Sequence, residues 1–479
     1  MSRTPDQPPL EPDPTSRRRG ALQQVIHLVG RPARQARDRL PVALELVFGL
    51  AILILVGAGL LVLPAMTTRP LTFMEALFTS TSAAAVTGLS LFPISTDLTF
   101  RGQLVLLFLV EIGGISLIAA VAFFFRLIGR RITLADRLAI TSSMHLDSSR
   151  RVLEVMARAM LFMLVIEGLG AAALYLHWRL SGIVPSGQVA YYAIFHAVTA
   201  YCNAGFDLFS GLPQYPNGLP TDPLTLVIIG ALIVLGGLGI PIYMDLLYRP
   251  TKRRLTLHTK VTFQVSAALI VAGFIGLLIC EYQGGGAFSG MSLFQRALLA
   301  LFQSVAARTA GFASIPGFNQ ILPSSSLLLM VLMFIGTAPA STGGGITTGT
   351  FVILWAAVVS YARGAERTRL GKWSLPNSLV LHAMIVFAVS LTLVILATWL
   401  LLITNGFNLV QSLFEIISAY STTGLSLGIT PSLNTAGRII LILTMFVGRL
   451  GAITIMIALL GRKQRPNLRE YPEQEILVG

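Results

Sequence analysis

Four short stretches of this chain repeat one turn chemistry at nearly even spacing. They read VTGLS around Gly88, CNAGF around Gly205, RTAGF around Gly311 and TTGLS around Gly424. The glycines are separated by roughly 106 to 117 residues, a period that marks an internal repeat. Each follows a helical stretch too short to cross a bilayer and lies between stretches that are long enough. Four copies of membrane helix, half-helix, glycine turn and membrane helix describe a single-chain pore with pseudo-fourfold symmetry.

The composition supports a membrane location. Hydrophobic residues make up 54% of the 479 residues and charged residues 12%, against about 25% charged in soluble domains. Apolar runs long enough to span fall at about 42–64, 102–125, 155–176, 223–247, 261–280, 325–362, 379–403 and 437–460. This is an all-α polytopic protein of eight expected spans.

The formal charge of +14 is explained by its placement. About 28 of the 35 Lys and Arg lie before the first span, after the last, or in or near the loops after spans two, four and six. Those segments share one side, which the positive-inside rule makes cytoplasmic, with both termini. The basic side faces anionic lipid rather than nucleic acid. The expected location is the plasma membrane, the cytoplasmic membrane of a bacterium. Two cysteines, Cys202 and Cys280, support no disulfide framework.

The expected organisation is a basic N-terminal tail over 1–41, four repeats over 42–150, 151–258, 259–375 and 376–461, and a C-terminal tail over 462–479. Residues 1–19 are too rich in Pro and Arg to build a core. Residues 20–40 have the pattern of a basic amphipathic helix lying on the inner leaflet, with docking of a partner as an alternative role. The half-helices are expected at about 71–84, 190–201, 293–306 and 410–420.

A half-helix entering from outside points its C-terminus, the negative end of the macrodipole, at the membrane centre. Four such ends around an axis stabilise a cation without a fixed carboxylate. The backbone that follows can present carbonyls in place of the ion's hydration shell. Glycine suits that position because it accepts positive φ and puts no side chain into the pore. A glycine that merely ends a helix is the simpler reading of one such turn; four in register favour the pore. The candidate ion-binding residues are Val86, Thr87, Gly88 and Leu89; Asn203, Ala204, Gly205 and Phe206; Thr309, Ala310, Gly311 and Phe312; and Thr422, Thr423, Gly424 and Leu425. Asn203 is placed to brace the second turn. Arg308 is expected to point into the protein, toward an acid. Glu75 and Glu415 either draw cations to the mouth or pair behind it.

The sixth span is too long for one plain helix. Its segment from Gly336 to Gly349 holds Pro339 and three consecutive glycines, Gly343, Gly344 and Gly345. Each glycine costs a helix interior about 1 kcal/mol relative to Ala, so the span should break just below the third turn. Arg449, deep in the last span, needs a cavity or a partner; Glu111 and Glu167 are candidate partners.

These residues resemble the Trk/Ktr/HKT potassium transporters over about 42–461. The most specific matches are RTAGF at 308–312 and MFIGTAPASTGGGITTGTF at 333–351, with LHTK at 257–260 and MFVGRLG at 445–451 in support. Eight spans look more like the Ktr-type membrane subunit than the longer Trk type. The resemblance implies a K⁺-translocating pore in each protomer, a homodimer, and a cytosolic ring of nucleotide-binding regulatory subunits. It also implies an intramembrane gate under the filter. Its residues here would be Gly336, Ala338, Ser341, Thr342, Gly343, Gly344, Gly345, Thr347 and Arg449, the last lying in the pore beneath the filter and hydrogen-bonding carbonyls of the loop. Thr347 stands where the family motif carries a basic residue, so this gate lacks that charge. In the wider family a serine in the first turn accompanies Na⁺ selectivity, so Gly88 favours K⁺ as the transported ion. The TVGYG string of tetrameric K⁺ channels is missing, which implies fewer stacked sites.

The reading is an ion-translocating subunit that takes up K⁺. Its alternatives are a Na⁺ or poorly selective alkali-cation transporter and a Na⁺-coupled symporter of the same fold. A secondary transporter with broken helices would carry inverted repeats, whereas these four share one orientation. An intramembrane enzyme would need a nucleophile with a base, or a metal cluster; His196 stands without either. No organic cofactor is expected.

Overall fold

The computed structural model describes residues 42–114, 152–213, 215, 218–247, 255–282 and 287–451. The N- and C-terminal tails, the end of the first repeat and the end of the last lie outside these residues.

The described chain is helical apart from a two-stranded antiparallel hairpin, Arg369–Leu370 with Trp373–Ser374. The first repeat holds α1 (Val42–Leu61), α2 (Phe73–Ala84) and α3 (Phe100–Gly114). The second holds α4 (Val152–Ser181), α5 (Val189–Tyr201), α6 (Pro223–Gly236) and α7 (Ile240–Leu247). The third holds α8 (Leu257–Cys280), α9 (Leu293–Ala306), α10 (Pro323–Ile335) and α11 (Thr348–Ala362). The fourth holds α12 (Asn377–Asn405), α13 (Leu409–Tyr420) and α14 (Thr435–Leu450).

The half-helices α2, α5, α9 and α13 have 12, 13, 14 and 12 residues. Three begin with side-chain caps. Thr72 with Glu75 and Ser292 with Gln295 form reciprocal capping boxes, and Asn408 accepts from the Gln411 N–H. These groups satisfy N–H donors that a helix start leaves without partners. The capped starts are exposed or half-exposed, whereas the C-terminal turns of all four helices are buried. The four short helices therefore drive their negative ends into the protein centre.

Packing closes on itself. Each half-helix lies on the first membrane helix of its own repeat: α2 on α1, α5 on α4, α9 on α8 and α13 on α12. Each also meets the helix that follows the preceding glycine turn: α5 meets α3, α9 meets α6, α13 meets α10, and α2 meets α14. Close approach needs small residues. A side-chain carbon on Gly113, Gly236 or Gly448 would collide with the carbonyl of Ala84, Tyr201 or Tyr420, at or beside the end of the facing half-helix. Outer faces are apolar and exposed, as at Leu161, Leu169, Ile395 and Trp399, which suits lipid rather than water.

Two spans are broken. Among the described residues, three helices are long and apolar enough to cross a membrane unaided: Ala157–Ser181, Leu257–Cys280 and Asn377–Asn405. The stretch expected as one span over 223–247 instead bends by 91° between α6 and α7. Gly236, Gly237 and Gly239, the last at φ +84°, relax the backbone there, and Pro241 lacks an N–H to continue the helix. The stretch over 325–362 breaks after Ile335 and resumes at Thr348.

Candidate functional site

The turn after each half-helix has one backbone pattern. Val86, Asn203, Thr309 and Thr422 take left-handed φ of 56°, 58°, 66° and 50°. The glycines two residues later take φ of 93°, 67°, 74° and 97°. Left-handed β-branched residues such as Val86 and Thr309 are strained and persist only where their surroundings fix them. Here the fixing comes from hydrogen bonds back to the half-helix. Thr87, Ala204 and Thr423 donate from N to the carbonyls of Ser82, Thr199 and Ser418 at 2.7, 2.7 and 2.8 Å, and Gly311 donates to Ala306 at 3.1 Å. The Ser82 and Ser418 hydroxyls also accept from the N–H of Gly88 and Gly424, at 3.1 and 3.0 Å.

The four glycines meet in a closed circuit. A side-chain carbon built on Gly88 would lie 3.1 Å from Gly205 Cα, and one on Gly205 would lie 3.1 Å from Gly311 Cα. One on Gly311 would lie 3.1 Å from Gly424 Cα, and one on Gly424 would lie 3.1 Å from Gly88 Cα. The nearest neighbours at these positions are the carbonyl oxygens of Ala204, Ala310, Thr423 and Thr87. Flanking residues Val86, Thr87, Leu89, Asn203, Ala204, Phe206, Thr309, Ala310, Phe312, Thr422, Thr423 and Leu425 are buried, whereas the glycines are half-exposed. All four glycines line one open vestibule of about 610 Å³.

Asp207 lines the same vestibule. Its carboxylate accepts from the N–H of Phe209 and Ser210 at 2.8 and 2.6 Å and from the Ser210 hydroxyl at 2.7 Å. Its signal in the sequence is an acid two residues after a turn glycine, Gly205. Glu75 sits away from the glycines, paired with Arg69 at 3.1 Å, and Arg69 also binds Asp97 at 2.7 Å. Hydrogen bonds to Asp97 and Glu75 raise the pKa of the Arg69 guanidinium above its ordinary value. Glu415 is buried and accepts from Ser426 at 2.8 Å and from Thr430. Asn203, with its amide nitrogen toward the carbonyls of Ala200 and Ile233 at 3.0 and 3.2 Å, ties the second turn to α6. His196 lies in an aromatic pocket; its Nδ1 faces the Tyr192 carbonyl at 2.7 Å and its Nε2 accepts from the Leu208 N–H at 3.3 Å.

Below the glycines lies the irregular segment between α10 and α11. Gly336 opens it at φ 62°, ψ −150°, a region essentially reserved for glycine. The segment is stitched to the break in the second repeat. Thr342 Oγ1 donates to the Gly236 carbonyl at 3.1 Å, Ala338 N to Gly237 at 3.1 Å, and Ile240 N to the Ala340 carbonyl at 3.2 Å. Thr337 and Ser341 share a hydroxyl contact of 2.8 Å, and Thr347 one of 3.3 Å with Thr350. A side-chain carbon on Gly343 would press on Thr309, and one on Gly344 would press on Thr422. Gly345, at φ 78°, lies against the carbonyls of Phe334 and Met333.

Arg449 reaches this segment, donating to the carbonyls of Thr342 and Gly113. The candidate acids turn elsewhere: Glu111 and Glu167 approach Cys202 Sγ at 3.8 and 3.7 Å, and neither forms an ion pair with Arg449. Arg308 likewise meets no acid among the described residues. It donates to the carbonyls of Gly336 and Ser266 at 3.0 and 3.4 Å. For Arg308, backbone carbonyls stand where a carboxylate was expected, that of Gly336 at the end of α10 among them.

The profile of the TrkH family, described as cation transport protein, matches residues 52–467. This chain belongs to the TrkH family of cation transporters. It is 32% identical over 434 residues to Ktr system potassium uptake protein B of Bacillus subtilis, covering 91% of this chain and 96% of that one. It is also 32% identical over 456 residues to the potassium/sodium uptake protein NtpJ of Enterococcus hirae, covering 93% and 99%. Its fold is similar to the potassium transporter TrkH from Vibrio parahaemolyticus, with a TM-score of 0.69, 18% identity, and 88% and 86% of the two chains covered. As a TrkH-family member the chain is a multi-pass membrane protein that translocates cations, and its relatives are transporters rather than enzymes.

Proposed function

We propose that this TrkH-family chain is the conducting subunit of a K⁺ uptake system, with Gly88, Gly205, Gly311 and Gly424 at the narrowest part of a pseudo-fourfold pore. The observation that carries this reading is the closed circuit of glycines at the buried ends of four half-helices. Carbonyls beside the glycines replace ion hydration, and four helix C-termini supply negative potential without a fixed charge. The loop from Gly336 to Thr347, held by Arg449, is the gate beneath. Both termini are cytoplasmic, the pore works in a homodimer, and a cytosolic ring of nucleotide-binding subunits controls it, as the family resemblance implies.

Purified protein in liposomes tests the function. A K⁺ gradient should drive K⁺ flux, and Na⁺ should carry far less. Equal K⁺ and Na⁺ flux would overturn the K⁺ assignment. A second reading, a carrier of both ions or a Na⁺-coupled K⁺ symporter, is favoured by the similarity to the potassium/sodium uptake protein of Enterococcus hirae. Flux that requires an imposed Na⁺ gradient would select the symporter.

A further inference from the structure

Arg308 precedes the left-handed Thr309 in the third glycine segment. Its side chain is buried, yet no carboxylate balances it among the described residues. Its Nε meets no acceptor there, and among the described residues its guanidinium bonds to the carbonyls of Gly336 and Ser266. The Gly336 carbonyl terminates α10 and lies at the negative end of that helix, which favours a buried cation. Gly336 is also where the chain leaves helical geometry to start the intramembrane loop.

The third segment touches that loop twice through adjacent residues. Arg308 binds its first residue, Gly336, and Thr309 packs on Gly343 near its middle. A small cavity of about 20 Å³ lies beside the guanidinium, lined by Arg308, Ser266, Gly237 and Thr337 among others. Arg308 is thus not wedged on that side, and among the described residues the bond to Gly336 is one of two that position its guanidinium.

We propose that Arg308 is a positioning residue that couples the third glycine segment to the hinge of the loop at Gly336. Release of the loop and the geometry of the third segment then change together. The inference rests on the reading of this loop as a gate and adds a regulatory link from gate to filter.

The test is a mutant cycle in proteoliposomes. It compares K⁺ flux and the K⁺/Na⁺ flux ratio in the parent, Arg308→Gln, a deletion of Gly343, Gly344 and Gly345, and the combination. Arg308→Gln should raise K⁺ flux by roughly 3- to 10-fold with the loop intact, the worth of about one net hydrogen bond, and lower the K⁺/Na⁺ ratio. In the deletion background it should raise flux no further. An equal rise in both backgrounds, or parental flux and ratio in folded Arg308→Gln, would overturn the coupling. Elution profile and thermal unfolding establish folding. If Arg308→Gln does not fold, Arg308→Lys carries the test. A single ammonium serves the two carbonyls poorly, so a smaller rise with the same dependence on the loop is expected, and parental behaviour overturns the proposal. If the deletion alone leaves flux unchanged, the gate reading fails and this inference falls with it. If the deletion raises flux and the Arg308 variants do not, only the inference fails.

Discussion

Gly424, in the last glycine segment, packs directly on Gly88 in the first, so closely that a side chain at Gly424 would collide with the Thr87 carbonyl. The two residues are far apart in the sequence, and their contact closes the circuit begun by Gly88 on Gly205. Closure depends on α14 returning to α2. The packing that completes the bundle therefore also sets the spacing of the carbonyls beside the four glycines.

That packing makes the glycines facing the half-helices sensitive to size. Gly113→Ala, Gly236→Ala and Gly448→Ala each press a methyl on a half-helix carbonyl and should destabilise by about 1–3 kcal/mol. Gly59→Ala in α1 meets nothing within 4 Å and should be neutral or stabilising by up to about 1 kcal/mol. Thermal unfolding in detergent measures all four. Equal effects at buried and open positions would refute the packing argument.

Ser82 and Ser418 support the first and fourth turns through the N–H groups of Gly88 and Gly424. Alanine at either position leaves a buried donor unpaired, a cost of about 1–3 kcal/mol. The K⁺/Na⁺ flux ratio of folded Ser82→Ala and Ser418→Ala should fall relative to the parent. An unchanged ratio in both would separate these hydroxyls from ion selection.

Arg449 joins the loop to the end of α3 through the carbonyls of Thr342 and Gly113. Arg449→Ala removes both bonds and a positive charge from beneath the glycine ring. K⁺ flux should rise by up to about tenfold per net hydrogen bond lost, without any regulatory partner. Folded Arg449→Ala protein with parental or lower flux would leave the loop as a structural kink.

Regulation is expected to reside largely outside this chain. Nucleotide added to the purified protein alone should not reproduce the full response, and the cytosolic ring should restore it. A complete response from the isolated chain, read as nucleotide-dependent K⁺ flux, would contradict the proposal.

Much of this arrangement was legible because it is local and repeated. The half-helices at Phe73–Ala84, Val189–Tyr201, Leu293–Ala306 and Leu409–Tyr420 fall close to their expected ranges. Short apolar runs bounded by caps and glycines are strong helix signals. The break after Ile335 was readable from Gly343 to Gly345. The bend at Gly236–Gly239 was not expected, because the surrounding run is apolar enough to pass for one span; the Gly-Gly-Leu-Gly-Ile-Pro string was the available signal. The partner of Arg308 was misjudged for a different reason. Acids are visible in a sequence, but which backbone carbonyls the fold brings to a buried guanidinium is not. Asp207 was missed because its place in the vestibule depends on four segments meeting.

The K⁺/Na⁺ flux ratio of Gly88→Ser, Gly205→Ser, Gly311→Ser and Gly424→Ser, measured side by side in proteoliposomes, tests the single glycine ring most directly. Each serine places atoms against the neighbouring segment's carbonyl. Every variant that remains folded should therefore lose preference for K⁺. Four folded serine variants with the parental ratio would contradict the ring as the site of ion selection.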